Sequence, residues 1–177
     1  MSFYLASCET APGKGHEDAH KLLERLYFAV TGTPMPPLCT GDRGKPHWED
    51  GPWHLSISHT RSRAFCLLAD CPVGLDAESL DRKVSASLAE KVLSPEEQKL
   101  WADSENDPGA FLTLWTLKEA TVKYTGEGLR GYPNNLNFRL DPPMLVGSDL
   151  HFHVLQAEGH VISLCASDPI ENISWVL

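Results

Sequence analysis

The residues best suited to chemistry in this 177-residue sequence are two acids that alternate along a short apolar segment. Within residues 73–78, the side-chain period of a β-strand places Asp76 and Glu78 on the same face. Two neighbouring carboxylates repel each other unless a cation lies between them. Mg²⁺ prefers oxygen ligands and keeps positions open for water and substrate phosphates. The pair therefore indicates a magnesium site, and the alternative is an ordinary strand end in solvent.

A third acid, Glu119, lies in a segment with helical spacing, four residues before Lys123. Residues four apart on a helix share a face, so a surface ion pair is one explanation for them. The flanking Trp115 and Val122 favour a partly buried face instead. A lysine beside carboxylates and a metal suits a phosphate leaving group. Glu119 and Lys123 are therefore candidates for the same site.

A Ser58-His59 pair ends another expected strand. Adjacent strand residues point to opposite faces, and the nucleophile motif of the serine hydrolases is absent, so we exclude a serine hydrolase. Donors at a strand end can hold phosphate oxygens, and Lys45 in the preceding loop can add positive charge. The alternative is a histidine that caps a turn.

Short strands and helices must position these residues. Turn signals and apolar periodicity predict helices at 17–30, 88–93 and 110–124, and a further helix from Pro95 with Ser94 and Glu97 in a capping box. Strands are expected at 53–58, 64–68, 73–77, 136–140, 151–155, 160–166 and 173–177. Loops are expected at 33–52, 102–109 and 127–149.

The two halves of the chain share a rhythm of helix, loop, strand, turn and strand. Residues 54–69, shifted by 97 positions, align without gaps on residues 151–166. We therefore expect an α+β, pseudo-duplicated fold in one domain, 1–177. Each half, about 1–80 and about 81–177, would carry a small antiparallel sheet and a packed helix. The seam between such halves is a natural ligand site.

Composition excludes several classes of protein. A net charge of −9 repels nucleic acid, and no apolar run reaches the ~20 residues of a membrane helix. The first residues lack the pattern of a secretion signal. Five cysteines without a CxxC pair indicate reduced thiols. We expect a cytoplasmic protein with neither a nucleic-acid nor a membrane partner.

Three segments, in this order, resemble motifs of the 4′-phosphopantetheinyl transferase superfamily, specifically its larger surfactin-synthetase-activating type. They are GKP with LSISHT (44–46 and 55–60), VGLDAE (73–78) and WTLKEATVK (115–123). Members transfer the phosphopantetheine arm of coenzyme A to a serine of an apo carrier protein and release adenosine 3′,5′-bisphosphate. Their fold has two similar α+β halves with coenzyme A in the cleft. The resemblance implies this fold and this Mg²⁺-dependent activity here.

The resemblance also implies a role for each matching residue. Three acids would hold Mg²⁺ against the coenzyme A pyrophosphate: Asp76, Glu78 and Glu119. Lys123 would contact that pyrophosphate, and the catalytic group would be Asp76, Glu119 and Lys123. Glu119 would accept the proton of the carrier serine, directly or through a bound water.

Four lysine, serine and histidine side chains would bind coenzyme A in addition to Lys123. Ser58, His59 and Lys45 would engage its nucleotide end, with His59 near the 3′-phosphate. Lys118 also matches a motif lysine, but it is adjacent to Glu119 and so points to another side of the helix. We therefore rank Lys118 below Lys123.

The expected partners are coenzyme A and an apo acyl or peptidyl carrier protein. An internally duplicated chain can complete its cleft alone, so we expect a monomer. Two other functions remain open: a non-catalytic module that binds carrier proteins or coenzyme A, and a Mg²⁺-dependent phosphohydrolase. The three acids and Lys123 argue against a pure binding role, which would not need them.

Overall fold

A computed structural model describes residues 1–41, 44–127 and 133–177 of the chain. Residues 42–43 and 128–132, which fall in two of the expected loops, lie outside the described residues. The described helices are α1 (Gly15–Thr31), α2 (Ala86–Val92), α3 (Pro95–Asp103) and α4 (Pro108–Thr125), with a 3-10 turn at Pro133–Asn135. The described strands are β1 (Phe3–Glu9), β2 (Cys39–Thr40), β3 (Pro46–His47), β4 (His54–His59), β5 (Arg63–Ala69), β6 (Val73–Ser79), β7 (Phe138–Leu140), β8 (Pro143–Leu145), β9 (His151–Ala157), β10 (His160–Ala166) and β11 (Ile173–Trp175).

Local signals placed most helix ends well. The capping box of α3 is present: the Ser94 hydroxyl accepts from the Glu97 N–H, and the Glu97 carboxylate accepts from the Ser94 N–H. Helix α4 begins two residues earlier than expected, because the Asp107 side chain caps it by accepting from the Ala110 N–H at 2.8 Å. The loop expected at 102–109 is correspondingly shorter, since α3 runs to Asp103.

The first sheet has the strand order β11-β1-β5-β4. Strand β5 is antiparallel to both β1 and β4, whereas β11 is parallel to β1. Strand β1 was not predicted from the sequence, in which it was only a short apolar start. Its place between two other strands, with Phe3 and Leu5 buried, comes from long-range pairing.

The second sheet has the order β6-β10-β9 and is antiparallel throughout. The two sheets pack face to face around a core from β1, β5, β6 and β10. Helix α1 covers the outer face of the first sheet, and α4 covers the outer face of the second. The mixed α+β class expected from the sequence is confirmed, with four α-helices in the described part of the chain.

The two hairpins aligned by the sequence have matching registers. His54 pairs with Ala69 in one, and His151 pairs with Ala166 in the other, in agreement with the 97-residue shift. Strand β6, which the expected boundary near residue 80 gives to the first half, belongs to the second sheet. Among the described helices, none combines the length and apolarity needed to cross a bilayer.

Candidate functional site

A cavity of about 660 Å³ lies where the two sheets meet, between α1, β4, β6 and α4. Its position agrees with the expectation of a ligand site at a seam. Seven of the residues singled out from the sequence line it: Lys45, Ser58, His59, Asp76, Glu78, Glu119 and Lys123.

Asp76 is the most deeply placed acid of the cavity, with 6% of its surface exposed. Its Oδ1 accepts a hydrogen bond from the Ser58 hydroxyl at 2.9 Å and another from the Lys123 ammonium at 2.7 Å. Its Oδ2 is buried and has no hydrogen-bond partner among the described residues. Leaving a buried charged oxygen unpaired costs free energy. This atom can therefore accept a further hydrogen-bond donor or a cation.

Two serines of β4 hold Asp76 in position. Strand β6 is the edge of its sheet, and its Leu75 and Ala77 N–H groups donate to the hydroxyls of Ser56 and Ser58, at 2.9 and 3.2 Å. Side chains of one sheet thereby satisfy backbone groups of the other. Ser58, expected to touch the nucleotide, has its hydroxyl engaged by Asp76 and Ala77.

Glu78 lies at the rim of the same cavity and forms an ion pair with Arg82. Trp115 of α4 lines the cavity together with Glu78. The Arg82 guanidinium also lies over the Trp115 ring, 5.2 Å from its centroid. Burial raises the pKa of Glu78, Arg82 opposes that shift, and Asp76 adds to it.

Glu119 faces the cavity from α4, near the other two acids. Burial raises the pKa of Glu119, and the negative charges of Asp76 and Glu78 raise it further, whereas Lys123 opposes the shift. The Asp76 carboxylate thus contributes to the raised pKa of both Glu78 and Glu119, as expected for carboxylates that share a site.

The acids are not gathered into a metal-binding geometry. Within residues 1–41, 44–127 and 133–177, no three His, Cys, Asp or Glu side chains are close enough to hold a metal ion. Lys123 neutralises Asp76 and Arg82 neutralises Glu78 instead. The donor set still fits Mg²⁺, because the ligands are oxygens only and the Asp76 Oδ2 is buried and unpartnered.

His59 and Lys45 line the cavity at different places. His59 is exposed and packs over the first residue of α1, so close that a Cβ on Gly15 would lie 2.6 Å from its Nδ1. Lys45 Nζ donates to the Tyr124 carbonyl at 2.7 Å, at the end of α4, and to the Val73 carbonyl at 3.4 Å. Burial lowers the pKa of Lys45. Lys45 thus lies near the start of β6, whereas His59 also lines a second cavity with Glu78 and Arg82.

Comparison with known proteins decides the family. The model described as the 4′-phosphopantetheinyl transferase superfamily matches residues 72–165, which is more than half of the chain. The chain belongs to the 4′-phosphopantetheinyl transferase superfamily. The match contains the three acids and Lys123, so the family expected from the sequence motifs is confirmed.

The relatives of this superfamily member are distant. The chain is 29% identical over 113 residues to the 4′-phosphopantetheinyl transferase psf-1 of Bacillus pumilus, covering 61% of this chain and 48% of that protein. It is 27% identical over 141 residues to the transferase Sfp of Bacillus subtilis, covering 73% and 62%. A solved holo-[acyl-carrier-protein] synthase of Thermotoga maritima is 25% identical, with a TM-score of 0.46 and coverage of 54% and 61%. The chain spans about half the length of psf-1.

One lysine of the superfamily motif does not reach the cavity. Lys118 has no exposed surface and forms an ion pair with the equally buried Glu97, with Nζ and Oε2 2.7 Å apart. It also donates to the Leu136 carbonyl. Burial lowers the pKa of Lys118, and Glu97 opposes that shift. The expected contact of Lys118 with coenzyme A does not agree with this position, because the side chain extends into the protein core.

Three residues at the superfamily site were not anticipated. Arg82 pairs with Glu78, and His16 and His20 of α1 line the cavity. The two histidines are four residues apart, which places them on one helix face. That spacing was available in the sequence, but the helix was expected to begin only at Glu17. Nothing in the sequence separated Arg82 from an ordinary surface residue.

Glu119 should make the stability of the metal-free protein depend on pH. Because its pKa in the folded protein lies above the ordinary 4.5, the folded state keeps a proton that the unfolded state has lost. Stability therefore falls as pH rises above about 4.5. We expect Glu119→Gln to be more stable than the wild type at pH 7 in EDTA, and the difference to vanish below pH 4. Urea unfolding at both pH values measures this. Glu90→Gln, at an exposed position on α2, is the control and should show no such difference.

Proposed function

We propose that the chain transfers the 4′-phosphopantetheine arm of coenzyme A to a serine of an apo acyl or peptidyl carrier protein in a Mg²⁺-dependent reaction. The observation that carries the proposal is the buried, unpartnered Asp76 Oδ2 in a cavity that also presents Glu78, Glu119 and Lys123. Membership of the superfamily and relatives named as transferases support it. The alternative is a non-catalytic module that binds a carrier protein or coenzyme A.

Asp76, Glu78 and Glu119 would hold the Mg²⁺. When bound, the metal neutralises negative charge on the pyrophosphate of coenzyme A. Ser58 contributes by orienting the Asp76 carboxylate, to which it donates at 2.9 Å. Until a ligand enters, Lys123 neutralises the charge of Asp76, and Arg82 neutralises that of Glu78.

Lys123 and Glu119 would act on the reacting groups. The serine hydroxyl oxygen forms a bond to the phosphorus next to pantetheine, and the bond from that phosphorus to the bridging oxygen breaks. The adenosine bisphosphate leaves with that oxygen, and Lys123 stabilises its charge. Glu119 accepts the serine proton, directly or through a bound water.

His59 and Lys45 would bind phosphate groups of the nucleotide. His59 is exposed at the mouth and can donate to a phosphate, and Lys45 lies along the wall. Ser58 lines the same cavity. Phosphate-binding and metal-binding groups in one cavity match a ligand with a terminal phosphate and an internal pyrophosphate.

We also infer a pseudo-duplicated single domain over 1–177, with halves of about 1–80 and about 81–177. The matching strand orders β1-β5-β4 and β6-β10-β9 support duplication. Along the chain, α1 lies between β1 and β4, and α4 lies between β6 and β9. A monomer in the cytoplasm, with neither nucleic acid nor membrane as partner, is part of the proposal. The net charge of −9 and the five free cysteines support it.

Intact-mass spectrometry of apo carrier proteins tests the activity. Carriers from fatty acid, polyketide and nonribosomal peptide synthesis are incubated with the chain, coenzyme A and Mg²⁺. We expect a phosphopantetheine mass increase that disappears in EDTA and returns with added Mg²⁺. Coenzyme A binding without any mass increase on these carriers would favour the binding module. Adenosine bisphosphate released without a carrier would favour the phosphohydrolase.

A further inference from the structure

The buried Lys118–Glu97 pair lies next to the proposed active site without being part of it. Both side chains are fully buried, and Nζ and Oε2 are 2.7 Å apart. Lys118 immediately precedes Glu119 on α4. Successive residues of an α-helix are about 100° apart around its axis, so the two side chains leave α4 in different directions. Glu119 reaches the cavity, and Lys118 reaches the core.

Glu97 connects Lys118 to two other segments of the backbone. Its Oε1 accepts from the Phe138 N–H at 2.8 Å, at the start of β7, and its Oε2 accepts from the Ser94 N–H at 2.8 Å, at the start of α3. Lys118 adds a bond to the Leu136 carbonyl. The pair thereby ties α4 to α3 and to the segment that leads into β7.

The sheet holds α4 at a different point of its surface. A Cβ on Gly74 of β6 would lie 2.0 Å from the Ala120 carbonyl oxygen, so helix and strand are in direct backbone contact there. That contact fixes the distance between α4 and the strand that carries Asp76. The sheet thus holds α4 along one side, and an anchor on another side of the helix adds to the restriction on its rotation.

A buried ion pair is a poor source of net stability, because the desolvation of both charges offsets their attraction. Its better-attested effect is to select one arrangement over others. In the core, the Lys118 ammonium is held by the Glu97 carboxylate and the Leu136 carbonyl. It tolerates little displacement, because moving it leaves a buried charge unpaired.

We propose that Lys118 is a positioning residue, whose ion pair with Glu97 sets the rotation of α4 and thereby aims Glu119 and Lys123 at Asp76. The kinetic test of this inference rests on the proposed function. The measurement of Mg²⁺ affinity is independent of carrier modification. Lys118 itself contacts neither coenzyme A nor the metal.

The test compares Lys118→Met with Thr116→Val. Thr116 is buried on the same helix and bonds to the Ser163 hydroxyl at 2.7 Å, so its replacement also removes a buried polar contact of α4. For Lys118→Met we expect kcat for carrier modification and the Mg²⁺ affinity from calorimetry each to fall about 10-fold or more, the range seen for residues that orient metal ligands. For Thr116→Val we expect a lower melting temperature, with both quantities within about 3-fold of wild type. Measurements are made below the melting temperature of every variant.

The results for the variants test the positioning role, and the results for the wild type test the proposed function. Equal losses in Lys118→Met and Thr116→Val, or an unchanged kcat and Mg²⁺ affinity in Lys118→Met, would overturn the positioning role. A wild-type protein that binds Mg²⁺ but modifies no carrier would overturn the proposed function, and the positioning role is then decided by Mg²⁺ affinity. A wild-type protein that binds no Mg²⁺ would overturn both. If Lys118→Met does not fold, the double variant Lys118→Met, Glu97→Gln, which removes both buried charges, takes its place under the same criteria.

Discussion

Asp76→Ala should reduce the rate of carrier modification by at least about 10³-fold while leaving the fold intact, since a bound metal contributes several kcal/mol to such reactions. The variant loses the buried, unpartnered oxygen that we assign to Mg²⁺. It also frees Lys123 from its 2.7 Å ion pair, so the lysine no longer has a fixed position.

The fold should survive this change because Asp76 is costly in the metal-free protein. One of its oxygens has no partner among the described residues, and the Lys123 side chain, 31% exposed, can turn to solvent. We expect a melting temperature in EDTA equal to or above that of the wild type. Mg²⁺ should raise the melting temperature of the wild type alone.

Asp103→Ala, at an exposed position at the end of α3, is the matched control for Asp76→Ala. It should retain wild-type activity and the Mg²⁺ effect on melting. Full transfer activity in Asp76→Ala would end the assignment of this carboxylate to the metal. A variant that loses both activity and structure would instead make Asp76 a structural residue.

Gly74→Ala should destabilise the protein by about 3 kcal/mol or more, at the upper end of what overpacking costs. The added Cβ would lie 2.0 Å from the Ala120 carbonyl oxygen and 2.6 Å from the Tyr124 nitrogen. Both atoms belong to the backbone of α4, so no side chain can rotate away. The helix must move from β6, which also separates Glu119 and Lys123 from Asp76. We therefore expect activity to fall with stability.

Gly109→Ala provides the control on the same helix. The nearest atoms to a Cβ there belong to the Asp107 side chain, with its Oδ2 at 3.1 Å, and that side chain can adjust. The expected change in the free energy of unfolding is within about 1 kcal/mol, and its sign can be favourable. Urea unfolding of both variants measures the difference. Equal stabilities for Gly74→Ala and wild type would mean that α4 and β6 are not in backbone contact.

Local sequence signals determined much of the fold. The capping box at Ser94 and Glu97 located the start of α3, and alternation placed Asp76 and Glu78 on one face of a strand. Both signals act over two or three residues, so they need no knowledge of the rest of the chain. The motifs around these residues were also sufficient to give the superfamily. The assignment of individual side chains to coenzyme A and Mg²⁺ remains a prediction.

Tertiary structure decided which partner each polar group takes. Lys118 and Lys123 belong to the same motif, yet one pairs with Glu97 in the core and the other with Asp76 in the cavity. Ser58 is bonded to Asp76, and Lys45 donates to Tyr124, 79 positions away along the chain. Helix and strand propensities, together with hydrophobic periodicity, predict which element a residue belongs to and on which face of that element it lies. Which element lies against each face depends on how the two sheets and their helices pack, and that packing is set by contacts between residues far apart in sequence.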